Sequence, residues 1–156
     1  MKFDPRVLAV LVLAACSSYP YYTLRQNSFY CTVSEIGDGV YATAGHCAFL
    51  LDDVSVIASG EGTGFAGDFV VFGEGDPSAV KCTLSGSAYL YGRKVSLKLV
   101  GDLLYVDFEP FAGDSGAALY AADGSFVGLI VGKTSDGRGI AVPAFRICGA
   151  IGSSPY

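Results

Sequence analysis

Three short stretches of the chain carry side chains that could act together in acyl transfer. The chain has one histidine, His46. Ser115 lies in the run Gly-Asp-Ser-Gly at residues 113–116, and Asp68 stands at the start of an apolar stretch. A serine nucleophile needs a base to take its proton, a carboxylate to orient that base, and N–H donors for the oxyanion that develops. His46, Asp68 and Ser115 supply the first three groups, in that chain order.

Each of these residues also has a simpler interpretation. A lone histidine is usually structural or exposed, a Gly-Asp-Ser-Gly run suits many turns, and an acid that opens a strand is often a turn residue. The combination favours catalysis, because Gly113 has no side chain and its N–H can face a substrate carbonyl beside the N–H of Ser115. We prefer Asp68 as the carboxylate because it lies between the other two residues and opens an apolar strand. Three other acids compete with it: Asp52, Asp53 and Asp76.

The composition excludes several classes of function. The chain has 156 residues, 51% of them apolar and 16% charged, with a net charge of −5. This is a folded chain of one domain or two small subdomains. Its 10 basic residues are scattered, so we expect no nucleic-acid partner. One histidine with scattered cysteines lacks zinc-ligand spacing, and no GxxxxGK loop is present. The sequence therefore predicts neither a metal site nor a cofactor.

The elements that must position these residues are short β-strands. Glycine is abundant at 21 residues and tryptophan is absent, and short apolar runs alternate with turn signals. A glycine-rich linker near residues 73–79 divides the chain into halves at 17–76 and 77–156, the second with a short C-terminal tail. This pattern predicts an all-β protein built as barrels or a sandwich, with twelve strands in all and a short helix at 143–151. Strands are predicted at residues 21–25, 29–36, 40–43, 54–58, 68–72, 80–84, 88–91, 94–99, 103–108, 117–120, 126–131 and 139–142.

Residues 1–16 are typical of an export leader. Lys2 and Arg6 precede an apolar run at residues 7–15, and Leu-Ala-Ala-Cys ends the segment at Cys16. This end resembles the lipobox of bacterial lipoproteins, which would place a lipid on Cys16 as the only membrane attachment. The alternative is a buried first strand. Without Cys16 four cysteines remain, enough for two disulfides in an oxidising compartment, although buried thiols are the competing interpretation. We expect a secreted or lipid-anchored protein.

The histidine and serine motifs together resemble those of chymotrypsin-like serine peptidases. The match is strongest at residues 43–47 and 113–116 and extends over about residues 20–142. The resemblance implies two six-stranded antiparallel β-barrels with the active site in the cleft between them. It also implies a serine endopeptidase that works through an acyl-enzyme on a polypeptide substrate. In that scheme His46 is general base and then general acid, Asp68 orients it, and Ser115 is the nucleophile.

The resemblance also carries a disulfide and a substrate-binding strand. Secreted members of the family staple the histidine loop, which implies a Cys31–Cys47 bond; the pairing of Cys82 and Cys148 stays open. The segment after Ser115 looks like the strand that builds the primary specificity pocket. It places substrate contacts at Val131, Gly132 and Gly139.

Specificity is predicted from a single acid. Glu109 lies six residues before Ser115, where trypsin-like members place the acid that selects arginine or lysine. The alternative is that Glu109 faces solvent, as most glutamates do.

Two departures from the family concern size and activation. The chain is similar in size to compact viral 3C-like serine proteases, so a viral or phage protease acting in a host cell is the alternative origin. The pocket histidine with which arterivirus members select glutamate has no counterpart here. No sequence like Arg-Ile-Val-Gly-Gly precedes the first strand, so Asp114 has no new amino terminus to pair with, and activation of the trypsin kind is not expected.

Two other hypotheses compete with a peptidase. A catalytically degenerate peptidase fold would bind a peptide without cleaving it. A lipoprotein of unrelated β fold would carry Gly-Asp-Ser-Gly by chance, which requires motif, spacing and chain order all to be accidental. The distance of Ser115 from His46 in the fold distinguishes the last hypothesis from the others.

Overall fold

The computed structural model describes residues 20–60 and 64–152. The predicted leader, with Cys16, lies outside the described residues. None of the helices in the described part of the chain has the length and hydrophobicity to cross a lipid bilayer. The described residues form eleven strands: β1 (Tyr21–Gln26), β2 (Phe29–Gly37), β3 (Val40–Ala44), β4 (Val56–Ser59), β5 (Phe69–Gly73), β6 (Ser87–Leu90), β7 (Arg93–Val100), β8 (Leu103–Val106), β9 (Ala118–Tyr120), β10 (Phe126–Lys133) and β11 (Gly139–Pro143). A short helix, α1 (Ala144–Ala150), follows β11.

The first half is a five-stranded antiparallel sheet in the order β1-β2-β3-β5-β4. Tight turns join its first three strands. Asn27 enters the left-handed region at φ 57° between β1 and β2, and Gly39 does so at φ 71° between β2 and β3. Asparagine and glycine are the residues that adopt this conformation most readily. The pairing of β3 with β5 brings together the two strands that lead to His46 and Asp68.

The second half is a closed barrel in the order β10-β11-β8-β7-β6-β9. The predicted six-stranded barrel is therefore confirmed for this half. Two closed barrels are not confirmed, because the described residues of the first half supply five strands in a sheet whose edge strands are β1 and β4.

The predicted strand at residues 80–84 is wrong. Only Cys82 forms a bridge there, in parallel with Phe126 at the start of β10. Six other strands already close the barrel, so this segment has no free strand edge along which to extend. The helix predicted at residues 143–151 is confirmed as α1.

Two apolar clusters hold the structure together. One fills the barrel and includes Leu90, Leu104, Leu119 and Ile130, all at most 1% exposed. The other runs from the first-half sheet into β10, β11 and α1, and joins Val33 and Phe72 to Leu129 and Ile147. Because this second cluster draws on both halves, burying apolar area there fixes the halves against each other.

Two disulfides each join cysteines of one half. Cys31 on β2 is bonded to Cys47, in the 3₁₀ helix Gly45–Leu50 that carries His46. Cys82 is bonded to Cys148 on α1. The first pair is the one that the resemblance implies, and the second is the pairing that the sequence left open.

Candidate active site

His46 and Asp68 are brought together by the pairing of two strands. In the antiparallel register Ala44, the last residue of β3, lies opposite Phe69, the first residue of β5. His46 follows β3 by two residues and Asp68 precedes β5 by one, so their side chains meet at the same edge of the sheet. His46 Nδ1 lies 2.7 Å from Asp68 Oδ2, and the backbone N–H of His46 donates to Asp68 Oδ1 at 2.7 Å.

This geometry fixes which nitrogen of the imidazole carries the proton. An ionised carboxylate only accepts hydrogen bonds, so Nδ1 is the donor to Asp68 and the neutral ring leaves its Nε2 lone pair free. The His46 side chain is 51% exposed and that of Asp68 is 18% exposed. The ring is therefore anchored on its Nδ1 side and open on the side that would take a proton.

The competing acids occupy other positions. Asp76 accepts a hydrogen bond from the backbone N–H of Ser78 at 2.9 Å and caps a short 3₁₀ helix. This backbone hydrogen bond lowers the pKa of Asp76. Asp52 and Asp53 are exposed. Among the described acids, the one bonded to His46 is Asp68.

Ser115 lies in a tight turn between the barrel strands. The turn begins at Phe111, whose carbonyl accepts from the N–H of Asp114 at 3.1 Å. Gly113 and Gly116 flank Ser115 in the left-handed region, with φ of 101° and 97°. A side chain at Gly116 would overlap the carbonyl oxygen of Thr32 and the hydroxyl of Thr43. The glycine at residue 116 is therefore required both by the backbone conformation and by the close approach of the first half.

Strand β2 of the first half holds residues 113–116, which we call the serine loop, by donating hydrogen bonds to the carbonyl groups of the loop. Thr32 donates through its hydroxyl to Gly113 O at 2.7 Å and through its backbone N–H to Ser115 O at 2.8 Å. Ser34, two residues along the same face, donates through its hydroxyl to Gly116 O at 2.8 Å. Thr43 on β3 donates to Thr32 O at 2.7 Å. The serine loop is thus hydrogen-bonded to β2, and β2 pairs with β3, the strand that leads to His46.

With its carbonyls engaged, the loop leaves two N–H groups unused. The N–H groups of Gly113 and Ser115 donate to no residue that the structure describes. Two neighbouring unpaired donors beside a serine are what an oxyanion requires. The Ser115 hydroxyl likewise makes no hydrogen bond within the described residues, so no bond joins it to His46 Nε2. Catalytic hydrogen bonds are often long before substrate binds.

Glu109 is exposed in the segment between β8 and β9, and its carboxylate lies beside the turn that joins β10 to β11. Its carboxylate oxygen is 2.8 Å from the position that a Cβ on Gly137 would take. The surface cleft that it lines also holds three basic residues, Arg93, Lys94 and Arg138, and two further acids, Asp107 and Asp136. Arg138 Nε lies 3.4 Å from Asp136 Oδ2.

The other predicted substrate contacts differ in what they expose. Val131 is buried at 2% exposure and belongs to the apolar cluster that joins the two halves. Gly139 is also buried, and its N–H donates to Phe108 O at 2.8 Å. Gly132 lies under the ring of Phe65, which a Cβ at residue 132 would overlap. Phe65 comes from the 3₁₀ helix Phe65–Gly67 just before Asp68 and is 40% exposed.

The sequence did not indicate several residues at this site. Phe65, Thr32 and Ser34 contact the predicted substrate strand or the serine loop from the other half of the chain. Thr32 and Ser34 are buried polar residues in a strand, at 7% and 0% exposure. A buried hydroxyl must find a partner, which is the one signal in the sequence that could have drawn attention to them.

No family model matches the sequence, and no curated protein sequence matches it. Solved structures do match. A Glu endopeptidase in complex with MPD superposes with a TM-score of 0.58 at 15% identity, over 87% of this chain and 92% of that one. The protease Rv3671c of M. tuberculosis H37Rv, in an inactive form, gives 0.55 at 16% identity, over 97% and 96% of the two chains. The tobacco vein mottling virus protease gives 0.53 at 10% identity, over 78% and 74%. The chain therefore has the fold of chymotrypsin-like serine proteases, as its motifs predict.

Proposed function

We propose that this protein is a serine endopeptidase in which Ser115 is the nucleophile, His46 the general base and acid, and Asp68 the carboxylate that orients the imidazole. The observation that carries the proposal is the pair of hydrogen bonds between His46 and Asp68, both 2.7 Å long. They hold the ring in the tautomer that accepts a proton at Nε2. The two unused N–H groups of Gly113 and Ser115 support it.

In the acylation step Ser115 Oγ bonds to the carbon of the scissile carbonyl while its proton passes to His46 Nε2. The carbonyl oxygen becomes an oxyanion and accepts from the N–H groups of Gly113 and Ser115. The Asp68 carboxylate stabilises the imidazolium through Nδ1. When the C–N bond breaks, His46 returns the proton to the leaving amine, and an acyl-enzyme remains on Ser115.

In the deacylation step water takes the place of the amine. His46 Nε2 accepts a proton from the water as its oxygen attacks the acyl carbon, and the same two N–H groups bind the oxyanion. The C–Oγ bond then breaks and His46 returns the proton to Ser115. The products are a carboxylic acid and the free enzyme, so no cofactor enters the balance.

Labelling with a fluorophosphonate tests the proposal. The purified protein is treated with the probe, and its intact mass is measured beside that of Ser115→Ala. We expect one adduct on the unaltered chain, mapped to Ser115, and none on the variant. Ser96→Ala is the matched control and should be labelled like the unaltered chain, because Ser96 is exposed on β7, outside the serine loop. An adduct on Ser115→Ala, or none on the folded unaltered chain, contradicts the proposal.

A peptide-binding module of the same fold is the second candidate. The observation that favours it is the Ser115 hydroxyl, which has no hydrogen-bond partner within the described residues. Such a module binds a peptide without forming an acyl-enzyme. Retained peptide binding by a folded protein that the probe does not label would establish it.

The disulfides favour an oxidising compartment. Cys31–Cys47 and Cys82–Cys148 would be unusual in a reducing cytosol. They support export more than action inside a host cell. We propose that the protein is secreted, or anchored by a lipid on Cys16, after its leader is processed. The mass of the amino-terminal peptide of the natural protein distinguishes a free terminus from a lipidated one.

We propose that the backbone of Val131 and Gly132 contacts the substrate, that Gly139 lies in the strand beside it, and that Glu109 selects a basic side chain. Because Glu109 is exposed, its charge is worth at most about fivefold in binding. Glu109→Gln is expected to lower kcat/KM for arginine and lysine peptides by that factor and to leave leucine peptides unchanged. An equal effect on both peptide classes would mean that Glu109 faces solvent.

A further inference from the structure

The carboxylate of Asp114 is held on both of its oxygens. Tyr91 donates through its hydroxyl to Asp114 Oδ1 at 2.8 Å, and the backbone N–H of Phe111 donates to Oδ2 at 2.8 Å. Asp114 stands between Gly113 and Ser115, the two residues whose N–H groups are unused. A bond that fixes the Asp114 carboxylate therefore also restrains the stretch of backbone that carries both donors. Phe111 belongs to the same turn, so of the two groups bonded to this carboxylate Tyr91 is the one that lies outside the turn.

Tyr91 occupies a backbone position that disfavours it. The two residues Tyr91 and Gly92 join β6 to β7, with Leu90 paired to Arg93 across the turn. Their φ values are +51° and +80°. Two-residue turns with positive φ at both positions favour asparagine, aspartate and glycine. A tyrosine at the first position is unusual, and the turn alone gives no reason for it.

The surroundings of Tyr91 hold its ring in one place. The ring centroid lies 4.7 Å from that of Tyr21 and 6.5 Å from that of Phe108. The backbone N–H of Tyr91 donates to the Tyr21 hydroxyl at 3.3 Å, and that hydroxyl donates to Ala118 O at 2.6 Å. Burial raises the pKa of Tyr91 above its usual range, so the hydroxyl stays protonated and remains a donor.

We propose that Tyr91 is a positioning residue for the serine loop: its hydroxyl fixes Asp114 and thereby aims the N–H groups of Gly113 and Ser115 at the oxyanion. This inference rests on the proposed peptidase activity. The unfavourable turn and the bond to Asp114 are separate observations, and the second explains the first. The group that bonds to the Asp114 carboxylate is thus the Tyr91 side chain of the folded barrel, where activation of the trypsin kind would supply a new amino terminus.

The test removes the hydroxyl and keeps the ring. Tyr91→Phe leaves the packing against Tyr21 and Phe108 in place but leaves Asp114 Oδ1 without its donor. A hydrogen bond to a charged group is worth about 10- to 100-fold in an equilibrium constant. We expect the rate of fluorophosphonate labelling, and kcat for a peptide ester, to fall by about that factor. KM is expected to change less than about twofold, because oxyanion donors act on the transition state.

Tyr120→Phe is the matched control. Tyr120 is also largely buried and donates its hydroxyl to Glu35 O at 2.5 Å, on the first-half sheet. We expect a similar loss of thermal stability and an unchanged labelling rate. Equal labelling of Tyr91→Phe and the unaltered chain would overturn the inference, as would equal losses in both variants.

Hydrogen exchange separates this inference from the proposed function. In Tyr91→Phe the peptide covering residues 111–117 is expected to exchange faster, while peptides of the first-half sheet exchange as before. If the unaltered chain is not labelled, the peptidase proposal fails. Faster exchange then still supports Tyr91 as the residue that orders the loop. Unchanged exchange in residues 111–117 overturns it whatever the labelling shows.

Discussion

Replacing Asp68 by asparagine should trap His46 in the wrong tautomer. The backbone N–H of His46 donates to Asp68 Oδ1, and this donor is present whatever the ring does. An asparagine side chain must therefore turn its oxygen toward that N–H. Its NH₂ group then faces Nδ1, which becomes an acceptor, and the ring proton moves to Nε2. A ring protonated at Nε2 cannot take the proton of Ser115.

The structure also sets the size of the effect. To recover the active tautomer, the amide must flip and place its NH₂ against the His46 N–H. Two hydrogen bonds break and one replaces them, from Nδ1–H to the amide oxygen. Two partly buried donors are then left facing each other, at a cost of about 3–6 kcal/mol. Since each 1.36 kcal/mol is tenfold in rate, Asp68→Asn is expected to slow acylation by about 10²- to 10⁴-fold.

Stopped-flow acylation with an activated ester measures this rate, with the melting temperature recorded to show that the variant is folded. Asp53→Asn is the control, since Asp53 is exposed with φ +56°, a conformation that asparagine tolerates. It should acylate like the unaltered chain. A rate for Asp68→Asn within about tenfold of the unaltered chain would refute the tautomer argument.

Three further results are expected. Gly116→Ala should cost about 2–4 kcal/mol in urea unfolding, because a left-handed alanine also overlaps Thr32 O; Gly124→Ala, with φ +88° and open space around it, should cost only about 1 kcal/mol. Replacing the Cys82–Cys148 pair by serines should cost about 2–4 kcal/mol, measured the same way, since the bond closes a loop of 66 residues. The free energy of unfolding should fall above about pH 10, by about 1.4 kcal/mol per pH unit for each of Tyr91 and Tyr120. Burial raises both pKa values in the folded state, so the unfolded chain loses these protons first. Urea unfolding between pH 9 and 11 checks the last result, and a slope unchanged in Tyr91→Phe would contradict it.

The pairing of His46 with Asp68 was accessible from sequence because both residues adjoin apolar strands. Antiparallel pairing of such strands brings their ends to one edge, and Asp68 is the acid that directly precedes one of them. Short strands also followed from turn signals, which left barrels and a sandwich open; the barrel was implied by the resemblance to chymotrypsin-like serine peptidases. The 80–84 segment has the same apolar pattern as a strand, and only the closure of the barrel by other strands decides against it.

The supports of the serine loop were not accessible in this way. Thr32 and Gly113 are 81 residues apart, and Tyr91 and Asp114 are 23 apart. Hydroxyl partners at such distances depend on how the two halves pack, which local patterns do not encode. Turn chemistry would have selected asparagine or glycine at residue 91. Local preference therefore fails at a residue whose side chain donates to Asp114, next to Ser115.

The bonds from Thr32 and Ser34 to the serine loop mean that neither half carries a complete site. Each disulfide lies within one half, so residues 74–79 form the covalent connection between the sheet and the barrel. A chain cut within that connection would behave as a two-fragment system. If Ser115 acts as we propose, its labelling by a fluorophosphonate would require reassociation, and the labelling rate would report the encounter of the two fragments.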